Sequence, residues 1–242
     1  MINIINIVMN KTEDLLFGDL RRIHRAISRA VETSAARFDD VVAAKEDDPA
    51  TYLGFALYLR TLFELFIAHH HGEDTIGFPA LEAGSKEFDL EPLRADHQRM
   101  HPLLLEGRQL AENILTRAST VSPEDDARLG EIIVQLAELW TAHVGPEETC
   151  FGCDLAMTCL TARERDRLTH ELSRHGQQAL KPMSRTAPFL YYNLDPDDRA
   201  AIVKPIPGFV VRLLFGVVWK HSWQPMAPFL LIDPAADSRT RV

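Results

Sequence analysis

The chain is predicted to be all-α: an up-down-up-down four-helix bundle with additional C-terminal helices. Three observations predict it. Apolar residues recur at three- and four-residue spacing along most of the 242 residues, with no sustained alternation of period two. Helix-start signals cut the first part of the chain into four long segments joined by short connections, which favour antiparallel neighbours. Each of those segments carries histidine or carboxylate on the apolar stripe itself, where a bundle interior should hold only hydrophobic side chains.

The first helix is expected from Thr12, whose hydroxyl can cap it, with Glu13 and Asp14 favourable in its first turn. Its stripe reads Phe17, Leu20, His24, Ile27, Val31. The second opens at Asp48-Pro49 and closes at Gly84-Ser85, with the stripe Leu62, Phe66, His69, Glu73, Ile76, Ala80. The third has Pro92 in its opening turn and carries His97 and His101. The fourth starts at Ser122-Pro123-Glu124-Asp125 and reads Leu129, Ile133, Leu136, Trp140, His143, Glu147, Cys150. Thr161-Ala162-Arg163-Glu164 is a capping box that opens a fifth helix reaching about Gln178. Prolines recur after Leu180; Asp195-Pro196 starts one short helix and Pro207 precedes another through Lys220. The expected organisation is an N-terminal arm (1–11), the bundle (12–158) and a helical extension packed on it (159–242).

Composition is ordinary for a soluble globular protein, with 46% hydrophobic and 25% charged residues. A net charge of −9 argues against a nucleic-acid partner. Three cysteines, an odd number, argue against a disulfide framework, and a reducing cytoplasm is the expected location. The opening MINIINIVMN has neither a basic n-region nor a cleavage site and reads as a packing arm. The apolar run from Phe209 to Trp219 is interrupted by Arg212 and falls short of the roughly 20 residues of a membrane span. Burial against the bundle is the favoured reading of that run, and a dimer or membrane-surface contact the alternative.

His24, His69 with Glu73, His97 with His101, and His143 with Glu147 are the candidate metal ligands. Each pair is spaced i, i+4, which stacks both side chains on one helical face. Five imidazoles and two carboxylates are too many for one structural zinc, which closes at four ligands. They suit two metal ions that share carboxylate bridges and leave a position open for a small molecule. The triplet His69-His70-His71 leaves two registers; the Leu62-Phe66 stripe favours His69 with Glu73 over His70 with Asp74. Gly145-Pro146 falls between His143 and Glu147 and threatens a kink, with Glu148 as the substitute ligand. His70 and His71 are expected to face outward or to support the ligands from outside. His170, His175 and His221 are expected at the surface. Cys150 and Cys153 form a C-x-x-C pattern read as packing, with Cys150 lining the pocket; no catalytic residue is assigned.

The chain resembles the hemerythrin family, specifically the bacterial HHE cation-binding proteins. The resemblance rests on IHRAISR around His24, HHHGEDTIGFPAL from His69 to Leu81, DHQRMH from Asp96 to His101 and HVGPEE from His143 to Glu148. These cover about Leu15 to Phe151 in the order the family shows. The resemblance implies a non-heme di-iron centre of two iron ions with an oxo or hydroxo bridge. By position, His97, His101 and His143 would hold one iron, His24 and His69 the other, and Glu73 and Glu147 would bridge them. It implies a protein that binds or senses a small diatomic ligand (oxygen or nitric oxide) or peroxide, or handles iron. The same site could instead support an oxidoreductase acting on peroxide or nitric oxide. A metal-free interaction module is the third alternative, and the extension could mediate a homodimer.

Overall fold

The computed structural model describes residues 15–87, 89–117, 121–151, 159–204 and 206–232. Thr12, the arm 1–11 and Cys153 lie outside them. Among the described residues every regular element is helical and no strand occurs. Four long helices form the bundle: α1 (Leu15–Ala43), α2 (Pro49–Gly84), α3 (Glu91–Arg117) and α4 (Pro123–Phe151). The extension comprises α5 (Ala162–Ala179), α6 (Met183–Tyr192), α7 (Pro196–Val203), α8 (Gly208–Leu213) and α9 (Lys220–Trp223), which runs into a 3-10 turn at Gln224–Phe229.

The starts follow local chemistry. The Asp48 carboxylate accepts from the Thr51 N–H at 3.0 Å, with Pro49 at the first helical position. The Ser122 hydroxyl accepts from the Asp125 N–H at 3.1 Å, and Thr161 and Glu164 complete the capping box of α5. Pro146 lies inside α4 without ending it. The carbonyl it strands belongs to Ala142 on the exposed face, where water can bond it, and Gly145 has no Cβ to meet the proline ring.

Around the bundle, α1 packs on α2 and α4, and α3 packs on the same two helices. That ring is the up-down-up-down arrangement. Its main core includes Phe55, Phe63, Phe66, Met100, Ile132 and Trp140. A smaller cluster with Phe78, Leu81, Leu93, Phe151 and Leu168 lies toward the other end.

The second helix departs from an amphipathic pattern. Tyr52, Phe55, Leu59 and Phe63 are buried on one side of its axis, and Gly54, Thr61, Leu65 and Ala68 on the opposite side. The extension supplies the missing partner: the 3-10 turn, α5 and α6 all pack on α2. Tyr58 donates to the Asn193 amide oxygen at 3.1 Å, and Arg185 pairs with Glu64. By length and composition α2 could cross a membrane, but its apolar residues are packed in this core.

Two stripe expectations are corrected. Glu73–Gly77 forms a π-helical turn, which adds a residue to the turn and shifts the buried face by one position. Burial therefore resumes at Gly77, Phe78 and Leu81 rather than at Ile76 and Ala80. In α8 a second π-helical turn, Leu214–Val218, ends at Trp219, so the expected single helix to Lys220 is broken.

The extension backbone approaches the bundle closely at Gly54, where a Cβ would lie 2.2 Å from the Pro225 carbonyl oxygen. Gly54→Ala should cost about 1–3 kcal/mol and lower the melting temperature. Gly176→Ala, with nothing within 4 Å of its Cβ, should instead gain about 0.5–1 kcal/mol from helix propensity. Paired thermal or denaturant unfolding checks both; equal effects would show that the contact does not constrain the fold.

Candidate metal centre

All seven polar side chains at the centre of the ring are buried: His24, His69, His70, Glu73, His97, His143 and Glu147. Their ligand atoms form two groups. His24, His69, Glu73 and Glu147 make one, His70, His97 and His143 the other, and within each group the ligand atoms lie within 4.8 Å of one another.

The position of α2 explains how adjacent histidines serve both groups. Successive helical residues diverge by about 100°. His69 therefore turns toward α1, with ring centroids 4.9 Å from His24, and His70 toward α3, stacked 3.9 Å from His97. The carboxylates lie between the groups. Glu73 Oε1 is 3.3 Å from His69 Nε2 and its Oε2 is 3.8 Å from His97 Nε2. Glu147 Oε2 is 3.3 Å from His24 Nε2 and 3.2 Å from His143 Nε2. Trp140 forms the floor, edge-on to His24, and donates its indole N–H to Ser28 at 2.8 Å. Phe78 stacks on His97 from the opposite side.

Three further carboxylates orient the rings. His97 Nδ1 lies 2.9 Å from Asp74, His143 Nδ1 3.3 Å from Asp96, and His24 Nδ1 3.1 Å from Glu148. An ionised carboxylate only accepts, so each Nδ1 carries a proton, and each Nε2 points inward, where it presents a lone pair once it holds no proton of its own. Nε2 of His97 and Nε2 of His143 face each other at 3.1 Å, close enough for one to donate to the other's lone pair. Nε2 of His24, His69 and His70 and all four oxygens of Glu73 and Glu147 are buried without a hydrogen-bond partner. Each such atom costs roughly 1–3 kcal/mol when unmet, and a cation satisfies lone pairs that no protein donor reaches.

Burial weighs against charge on His24, yet the Glu147, Glu148 and Glu73 carboxylates beside it hold its pKa well above the usual imidazole range. Burial, reinforced by neighbouring imidazoles, pushes His69 and His70 well below it. The carboxylates separate. Burial and the Glu147 charge raise Glu73, whereas at Glu147 the burial penalty is outweighed by the adjacent imidazoles of His143 and His24, which lower it.

Of the candidate ligands, His24, His69, Glu73, His97, His143 and Glu147 come together, and His101 does not. The buried face of α3 runs Leu93, His97, Met100, Leu104, Gly107, a 4-3-4-3 spacing on which Met100 takes the inward position. His101 falls to its exposed side. His70, expected outside, supplies the third imidazole. Asp74 and Glu148 bond ligand rings instead of replacing ligands. The cue for His70 was the all-round apolarity of α2, which leaves it no wet face. On α4, Phe151 is buried where Cys150 was expected, and Cys150 is half-buried. His175 is not a plain surface residue either: its Nε2–H donates to the Ala68 carbonyl at 2.9 Å.

The family model for the hemerythrin HHE cation binding domain matches residues 15–153. The match spans more than half of the chain, and the chain belongs to this family of cation-binding helical bundles. Comparisons with curated proteins and with solved structures gave no match.

Two outcomes are expected. His70→Ala should weaken metal binding more than about tenfold while His101→Ala leaves it within about twofold, read by metal analysis after dialysis. The reverse result would restore the His97-His101 pair. Metal binding should also release protons, because His24 and Glu73 both hold theirs above the ordinary range and must give them up. Affinity should therefore rise with pH, through and above the ordinary imidazole range, and fall in acid. Chelator competition at several pH values reads the slope; a flat profile would show that neither group competes with the metal.

Proposed function

We propose that this protein is a non-heme di-iron protein of hemerythrin type that reversibly binds or senses a small molecule such as oxygen, nitric oxide or peroxide. The observation that carries this reading is the pairing of two ligand groups through Glu73 and Glu147, each of which faces imidazoles of both groups. Two cations, each with imidazole and shared carboxylate ligands, suit that donor set, and iron is a metal that such ligands favour. Iron supplies the redox chemistry and the capacity to bind a diatomic molecule.

The chain's own residues set the conditions for that chemistry. Asp74, Asp96 and Glu148 fix which ring nitrogen carries the proton. Trp140, Phe66 and Phe78 keep water from the ligand atoms. The group containing His24 and His69 has two imidazoles against three in the other, so it is the group with room for an external ligand. A surface cleft lined by His24, Arg25, Ser28, Arg29, Gly145 and Glu148 lies directly beside it and supports approach from that side. A metal-free interaction module fits less well, because seven buried lone-pair atoms would stay unmet.

Anaerobically purified protein should contain about two irons per chain and develop a near-ultraviolet band on exposure to air. Stripping the iron should lower the melting temperature, since a cation that binds the folded ligand set stabilises it over the unfolded chain. Fewer than two metals after iron reconstitution would defeat the di-iron reading. Sustained oxygen release from added peroxide would move the assignment from binder to enzyme.

A further inference from the structure

Gly208–Val218, α8 with its π-helical continuation, turns Val211 and Phe215 into the core. Its other face is open. Phe209 is 64% exposed, Leu213 52%, Val217 68% and Val218 48%, four of the seven large hydrophobic residues exposed among the described residues. The four-residue steps from Phe209 to Leu213 to Val217 make a continuous stripe. At its end Trp219 is half-buried, stacked 5.5 Å from Phe215.

The charge around this stripe is opposite to that of the molecule. From Arg199 to Ile232 the sequence contains no Asp or Glu, in a chain of net charge −9. Lys204, Arg212 and Lys220 are exposed within that span, and Arg212 and Lys220 flank the stripe directly. We propose that this face is a peripheral docking surface for a bilayer rich in anionic lipid headgroups. Phe209, Leu213 and Val217 enter the boundary between headgroups and acyl chains, Trp219 lies at headgroup level, and the three cations meet the anionic phosphates. The acidic remainder of the molecule is repelled from the same surface, which fixes orientation. Gly208–Val218 is too short to span a bilayer alone, and Arg212 beside the stripe suits a segment that lies on one.

A second copy of the chain complements the face less well. A two-fold pairing would set Arg212 and Lys220 close to their own counterparts. Four apolar side chains also fall short of the roughly 800 Å² per partner of a stable interface.

The test is sedimentation of the full-length protein with large unilamellar vesicles. Binding to phosphatidylcholine vesicles containing phosphatidylserine, little binding to phosphatidylcholine alone, and release by added sodium chloride are expected. Phe209→Glu/Val217→Glu and Arg212→Glu/Lys220→Glu should each lower the bound fraction about tenfold or more, with helicity and metal content unchanged. Metal content is read on the same samples, so a failure of the metal assignment is seen separately. Absence of binding to the anionic vesicles, or binding by both variants equal to that of the unaltered protein, would overturn the proposal. So would a lipid-free dimer that the Phe209→Glu/Val217→Glu change dissociates, since the stripe would then be a self-association surface.

Discussion

Five imidazoles and two carboxylates directed at one another inside a dry ring of helices are the constraint on which this structure depends. Ordinary packing cannot accommodate them. A buried lone pair needs a proton donor or a cation, and the three carboxylates behind His24, His97 and His143 have already fixed the protons on the outer nitrogens. The inner nitrogens point at one another and at the two carboxylates, and they can hold a cation once His24 gives up its second proton. Cation binding is a consequence of that geometry before any family relation is considered, and the family match over residues 15–153 agrees with it.

The rest of the molecule keeps that centre dry and aligned. On one side the main core presents Trp140 and Phe66, and on the other Phe78 and Phe151 close the cluster from the smaller core. The extension takes part. By covering the outer face of α2 it makes α2 a central helix, and a central helix can aim two consecutive histidines at two groups. Helix α5 reaches the ligand end of α2, where the His175 bond to the Ala68 carbonyl lies one turn from Gly72 and beside the histidine triplet. A Cβ at Gly72 would lie 3.1 Å from the His175 ring, so glycine lets α5 approach.

Much of this was legible in the residues, and the misses share a cause. Asp48-Pro49, Ser122-Pro123 and Thr161 through Glu164 announce helix starts because capping is local chemistry. His24, His69, Glu73, His143 and Glu147 stand out because polar residues on an apolar stripe are conspicuous. What the pattern could not carry was phase. His97 and His101 share a face at i, i+4, but the α3 stripe steps through Met100, and a difference of one residue rotates a side chain by about 100°. Ile76 and Ala80 were misplaced for the same reason once the π turn added its residue. His70 required knowledge of what covers α2, and that cover comes from residues more than 100 positions later. The alternation of burial in Phe209–Trp219, where burial against the bundle was favoured over a dimer or membrane-surface contact, likewise depended on which face the extension would leave open.

Within the four-helix bundle the irregular backbone is concentrated where the ligands are, and the reason is geometric. Glu73 opens the π turn, and Glu147 directly follows Pro146. A regular α-helix repeats a face every 3.6 residues, so one helix cannot hold both a ligand pair and a downstream core contact in ideal phase with three neighbours. The π turn resolves this on α2. It leaves Glu73 over His69 and then rotates Phe78 to stack on His97. On α4 the proline lies on the wet side, so the inner side, from Trp140 through His143 to Glu147, continues undisturbed. The deviations are thus confined to places where water or an added residue absorbs them, and the carboxylate pair stays where both ligand groups reach it.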